Sequence, residues 1–188
     1  MKSLSHYLRV VLLRAKGRKD DRKTRMEDYL NSLRRSGMTI GENVAIYDCI
    51  LDTNFPHLIE IGSNCIITMA TILAHDDSPM PLYRCVAFGR VVIRDNTFVG
   101  AGAVILPGVE IGPNAVVGAN TVVSRNVPPG AVVAGSPARI VSHTETWIDR
   151  LGKTRHGTSW IRTDQAAVVP SEEELSRYIE QASRRIEN

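Results

Sequence analysis

Six aliphatic residues, Ile93, Val99, Ile105, Ile111, Val117 and Val123, stand six positions apart in an unbroken series. An α-helix repeats every 3.6 residues and a simple strand alternates every two, so neither produces this beat. A strict period of six implies short strands joined by turns and wound into a coil. With three hexapeptides per turn, residues 18 apart stack in columns: Ile93 under Ile111, Val99 under Val117, Ile105 under Val123. Neighbouring coils then lie at the strand-pairing distance of about 4.8 Å. No coil buries its inner face without the next. Four residues beyond each aliphatic comes Thr97, Ala103, Val109, Ala115, Thr121 or Val127, all small or β-branched. The same beat is expected at Ile61, Ile67 and Leu73, with a fragment at Ile40 and Ile46. All of these are core positions.

The 188 residues suit a single domain, and aromatics at 5% leave the core to small and branched aliphatics. The net charge of +3 is unevenly spread. Residues 1–39 hold 11 Lys/Arg against 4 Asp/Glu, whereas residues 40–141 hold 5 against 8, so the basic character belongs to the N-terminus. A repeat region poor in cations argues against nucleic acid as a partner. Cys49, Cys65 and Cys85 are odd in number and lack CxxC spacing, which fits a reducing compartment rather than a disulfide framework or thiolate zinc site. No apolar run approaches the roughly 18 residues of a membrane span. The N-terminal "VVLL" is flanked by arginines and does not read as a signal peptide, so a cytoplasmic protein is expected.

The rhythm breaks at "TILAHDDSPM". From Leu73 to Ile93 is 20 positions, which no whole number of hexapeptides fills. Residues 76–90 carry two prolines, a glycine and several charges, and read as a loop thrown out of the coil. Long loops in compact domains are usually functional or disordered. His75 stands at the root of this one, where a rigid scaffold meets a shaped excursion. His57 lies 18 residues earlier, and the two imidazoles are expected to stack if the coils keep register. A catalytic zinc held by histidines alone needs three. The repeat region has two, so no metal is expected.

The stretches "MTIGENVAIYD", "FPHLIEIGSNCIIT", "AHD" and "VGAGAVILPGVEIGPNAVVGANTVVSRNVPPGAVVAGSPARIV" resemble the hexapeptide-repeat acyltransferases. Within them, the resemblance is to sugar and polysaccharide O-acetyltransferases related to the maltose and galactoside enzymes. It implies a left-handed parallel β-helix, a homotrimer and acetyl-CoA as donor. The handedness comes from the resemblance alone. It also implies that His75 is the general base, with Asp76 completing the "HD" pair of the polysaccharide branch. Asp76, Asp77 and Glu60 are the candidates for the acid that orients His75. The resemblance further gives Ala101 and Ala119 to the pantetheine arm, Arg125 and Arg139 to the phosphates, and Phe98 to the cofactor wall. For the acceptor, Tyr83, Arg84 and Arg90 on the loop and Asp52 and Asn54 in the earlier irregular stretch are the candidates.

The expected organisation is a basic helical segment over 1–37, a β-helix over 38–141 with a loop insertion at 76–90, and a helical extension over 142–188. Helices are expected over 1–16 and 24–35, around 144–151, and over 171–186, where Ser171 and Glu174 form a capping box. The basic helical region is expected either to pack on the end of the coil or to touch an anionic membrane surface weakly. Trp147, Lys153 and Trp160 are possible cover for adenine. The activity expected is acetyl transfer from acetyl-CoA to a saccharide hydroxyl. The alternatives are N-acetylation of an amino sugar, a γ-carbonic-anhydrase-like zinc enzyme, and a non-catalytic scaffold.

Overall fold

A computed structural model of the chain describes residues 23–147. Residues 39–134 wind into a parallel β-helix of triangular section, its three walls being three sheets of very short strands. The first wall stacks Thr39–Ile40, Ile59–Ile61, Val91–Ile93 and Glu110–Ile111. The second stacks Ala45–Tyr47, Ile66–Thr68, Phe98–Val99, Val116–Val117 and Ala131–Ala134. The third stacks Ile50–Leu51, Thr71–Ile72, Val104–Ile105 and Val122–Val123.

The columns expected from the period are the ladder partners observed. Ile93 pairs with Ile111, Val99 with Val117 and Ile105 with Val123. Each of these six side chains is fully buried, as are the small residues Thr97, Ala103, Ala115 and Thr121 between them. The corners explain part of the spacing. Asn43, Asn64, Asn96 and Asn114 turn one corner with φ of 52–58°, a conformation that asparagine tolerates better than most residues. Their amides add a ladder of their own: Asn43 Nδ2 donates to Asn64 Oδ1 at 3.3 Å, and Asn64 Nδ2 to Asn96 Oδ1 at 3.1 Å. Buried Thr97 Oγ1 donates to the Gly112 carbonyl at 3.2 Å, so its hydroxyl enters the core satisfied.

Two expectations fail in the first coils. Ile72, not Leu73, is the buried rung of the third wall, stacked between Leu51 and Ile105. Met69 turns its corner in the left-handed region at φ 43°, and only five positions separate Ile67 from Ile72. The first and second coils are also offset by 21 residues, not 18: Ile40 pairs with Ile61, Ile46 with Ile67 and Leu51 with Ile72. The irregular stretch after Leu51, with its single 3-10 turn Pro56–Leu58, holds the excess. His57 therefore falls in that turn and not in a column with His75.

The excursion at 76–90 is more ordered than a loop. His75–Asp76 and Ala87–Phe88 form a two-stranded antiparallel hairpin, with one helical turn, Met80–Tyr83, inside it. Arg84 closes that turn at φ 52°. The chain re-enters the coil when Gly89 N–H bonds the Ala74 carbonyl at 2.9 Å.

Both ends of the described prism are covered. Residues 23–36 form a helix whose Leu30 and Leu33 join the same buried cluster as the coil. Arg34 fastens it to the first coil, donating from Nε to the Ile40 carbonyl at 3.0 Å and from Nη2 to that of Gly41 at 2.8 Å. These contacts occupy carbonyls near the open edge of the first coil. At the other end Arg139–His143 runs antiparallel to Ala131–Ala134. A helix begins at residues 144–147. The helices expected over 1–16 and 171–186, and the residues Lys153 and Trp160, lie outside the described residues.

Because Ile105 is fully enclosed by its column, Ile105→Ala is expected to cost about 2–5 kcal/mol. Chemical denaturation of both proteins measures this as a lower midpoint with an unchanged slope.

Candidate active site

His75 is the first residue of the hairpin, immediately past the end of the third wall. Its Nδ1 is hydrogen-bonded to Asp52 Oδ2. Asp52 directly follows the rung Leu51, and its backbone N–H bonds the Ile72 carbonyl at 3.0 Å, so the scaffold fixes it. Its side chain is only 1% exposed. The carboxylate nevertheless has a full set of partners: Oδ2 also accepts the Ala74 N–H at 2.9 Å, and Oδ1 accepts the Asn54 N–H at 3.0 Å. Burial pushes its pKa up, but the bonds from His75, Ala74 and Asn54 outweigh that, and the net shift is downward. Asp52 is an ionised, immobile acceptor.

That acceptor sets the state of the histidine. With Nδ1–H donating to Asp52, the lone pair of neutral His75 sits on Nε2, the nitrogen away from the scaffold. The hydrogen bond to Asp52 is the main reason the pKa of His75 is raised, with Asp77 and Asp76 adding to it and burial opposing. Asp77 Oδ2 lies 3.7 Å from Nε2 on the exposed side.

The acid paired with Nδ1 is thus none of the three expected from sequence. Successive strand residues face opposite ways. His75 is paired across the hairpin with Phe88, and Asp76 with Ala87. Asp76 turns to the Ser78 N–H, which it accepts at 2.8 Å, and this bond lowers its pKa. Glu60 belongs to the first wall, where it is bonded to Arg90 and lies 3.4 Å from Arg94. Asp52, expected to contact the acceptor, is instead enclosed behind the histidine. The ring packed on His75 is Phe55, at 5.2 Å between centroids, where sequence suggested His57.

The remaining candidates divide between two edges of the third wall. Asn54 and Arg125 are exposed and follow strands of that wall, on the side where His75 lies. Ala101 and Ala119 precede strands of the same wall and sit at the opposite edge, stacked through the bond from Asn120 N–H to the Ala101 carbonyl at 2.9 Å. Arg139, paired with Ala134, belongs to that second group. A strand advances about 3.3 Å per residue, so the two groups are roughly 15 Å apart within one chain. Gly100 is small for a packing reason: a Cβ there would meet Ala119 N at 2.8 Å. Phe98 lies on the second wall, 39% exposed. Tyr83 and Arg84 stand exposed at the end of the hairpin's helical turn, and Arg90 is held by Glu60. Among the described residues, no cluster of three His, Cys, Asp or Glu has the geometry to hold a metal ion. No described helix is long and apolar enough to cross a membrane.

A prism of hexapeptide coils defines a class of fold, and comparison with known proteins agrees. Residues 90–125 match the family described as bacterial transferase hexapeptide (six repeats). YvoF of Bacillus subtilis (strain 168), whose name places it among acetyltransferases, is 40% identical over 119 residues, 62% of this chain and 67% of that one. Protein CapG of Staphylococcus aureus is 33% identical over 124 residues, 62% of this chain and 72% of that one. A galactoside acetyltransferase solved in complex with coenzyme A has the same fold, with a TM-score of 0.50 and 23% identity over 66% of this chain and 72% of that one. The chain belongs to the hexapeptide-repeat acetyltransferases, and its coil is their left-handed parallel β-helix.

The Asp52 carboxylate stabilises the imidazolium, so His75 should stay protonated to higher pH than an ordinary histidine, whose pKa is about 6.5. Asp52→Asn removes the charge and should move the titration of His75 downward. An NMR titration of the His75 ring protons in both proteins measures it.

Proposed function

We propose that this protein transfers acetyl from acetyl-CoA to a hydroxyl of a saccharide, with His75 as general base and no covalent enzyme intermediate. The observation that carries the reading is the Asp52–His75 pair, in which a buried, fully bonded carboxylate holds Nδ1 and leaves Nε2 as the free base. An alcohol is too weakly acidic to attack a thioester near neutral pH unless its proton is taken as it attacks. Nε2 is suited to take that proton and to return it to the departing thiol. Asp52 acts through the ring, holding its tautomer and steadying the charged form. Asp76 has a structural part in this account, closing the turn onto Ser78.

Acetyl-CoA supplies the acyl group as a thioester. Ala101 and Ala119 offer a thin, partly exposed corner suited to an amide-bearing arm, and Arg139 lies at the same edge with a charge suited to phosphate. Phe98 is an apolar wall on the adjoining face, and Arg125 lies at the histidine's edge. A separation of roughly 15 Å within one chain is too wide for a donor-binding corner and a base to share one reacting centre. We therefore infer a homotrimer in which the corner of one subunit faces His75 of the next. Exposed Ile50, Tyr47 and Met69 supply apolar area for that contact. The saccharide acceptor is supported by relatives of like fold that include a galactoside acetyltransferase.

Thiol release from acetyl-CoA, measured with a panel of sugars, amino sugars and oligosaccharides, tests the proposal. Wild type should release thiol only with a hydroxyl acceptor, and His75→Ala should lose about 10²–10⁴-fold in turnover while still binding CoA. Full activity in His75→Ala rejects the base, and preference for amino sugars rejects the hydroxyl acceptor.

A further inference from the structure

Beside the imidazole the hairpin builds an aromatic surface that the proton chemistry does not use. Phe88 is the cross-strand partner of His75, so the two side chains leave the hairpin on the same face. Phe55 lies against both rings: 5.2 Å from that of His75, and stacked on that of Phe88 at 6.0 Å with 15° between planes. Phe55 is partly buried against the core, which anchors the pair. Phe88 is 68% exposed, a large apolar area to leave beside a polar site. The exposed Asp77 carboxylate stands 3.7 Å from Nε2. The histidine therefore has flat apolar rings beside it and a hydrogen-bond acceptor close to its free nitrogen.

A pyranose ring matches this division. One of its faces can present C–H bonds, whose hydrogens suit the electron-rich face of an aromatic ring. Its hydroxyls project from the rim in adjacent pairs. We propose that Phe88, backed by Phe55, is the platform on which the acceptor sugar ring lies, so that one rim hydroxyl meets His75 Nε2 while its neighbour donates to Asp77. The proposal rests on the saccharide reading above and adds to it a specificity determinant. Acceptors with an apolar ring face are favoured over ring-less polyols, which have hydroxyls but no such face.

The test is steady-state kinetics with acetyl-CoA and, as acceptors, methyl hexopyranosides, short oligosaccharides and glycerol, using wild type, Phe88→Leu and Phe88→Trp. Leucine keeps an apolar branch against Phe55 but has no flat face, and tryptophan restores one. In Phe88→Leu the KM for the ring acceptors should rise about tenfold, the size of one lost aromatic contact. Phe88→Trp should recover most of that loss, and the KM for acetyl-CoA should stay within about twofold throughout. An unchanged ring-acceptor KM in Phe88→Leu overturns the platform alone. An equal loss with glycerol also overturns it, because Phe88 would then merely hold the hairpin in place. Absence of transfer to any saccharide by wild type overturns the functional reading, and the platform with it.

Discussion

Each coil of the prism is held by hydrogen bonds to the coils stacked on it, and this pairing dictates the rest of the structure. Strand partners must lie about 4.8 Å apart along the axis. That distance leaves one layer of side chains per coil, so every inward position repeats with little change in size. Ile61, Ile93 and Ile111 stack on one wall, and Ile67, Val99 and Val117 on the next. The corners obey the same limit. A Cβ at Gly112 would meet Pro129 N at 2.6 Å, and one at Gly62 would meet Asp95 N at 2.7 Å. Such a scaffold has little freedom to bend and tolerates extra residues only where they leave it altogether.

The chain leaves it near one edge twice, after Leu51 in the first coil and after Ile72 in the second, and these two departures make the site. The first contributes Asp52 and Phe55, the second His75 and Phe88. Neither departure suffices alone. The carboxylate is oriented by backbone N–H groups of its own coil and of the next, which makes it a rigid partner for the imidazole. Desolvation of that carboxylate is offset by four donors, His75 Nδ1 among them. The carboxylate is enclosed, while the outer nitrogen of the imidazole remains next to the exposed hairpin and its Asp77.

Two of the expectations that failed share a cause. His57 and Leu73 were placed by carrying the 18-residue coil into a region where the offset is 21 and one corner is a residue short. With the observed offset, Leu51 pairs with Ile72, and Asp52 then falls beside Ala74 and His75. The signal was present in the matched spacing of Ile40–Ile61 and Ile46–Ile67. Asp76 misled for a different reason: adjacency in sequence means opposite faces on a strand.

The sequence by itself determined the coil, its columns, and the position at which it breaks, because a single geometric constraint is written repeatedly and each copy corroborates the others. It also marked His75, since a polar group at the root of an interruption stands out against so regular a pattern. Only the tertiary structure decided that Asp52 orients that histidine, that the interruption is a hairpin with Phe88 as the cross-strand partner of His75, and that the corner of small residues lies across the third wall from the imidazole. Those relations join segments whose spacing follows no period. They depend on how two irregular excursions fold over one edge, which local propensity and repetition do not specify.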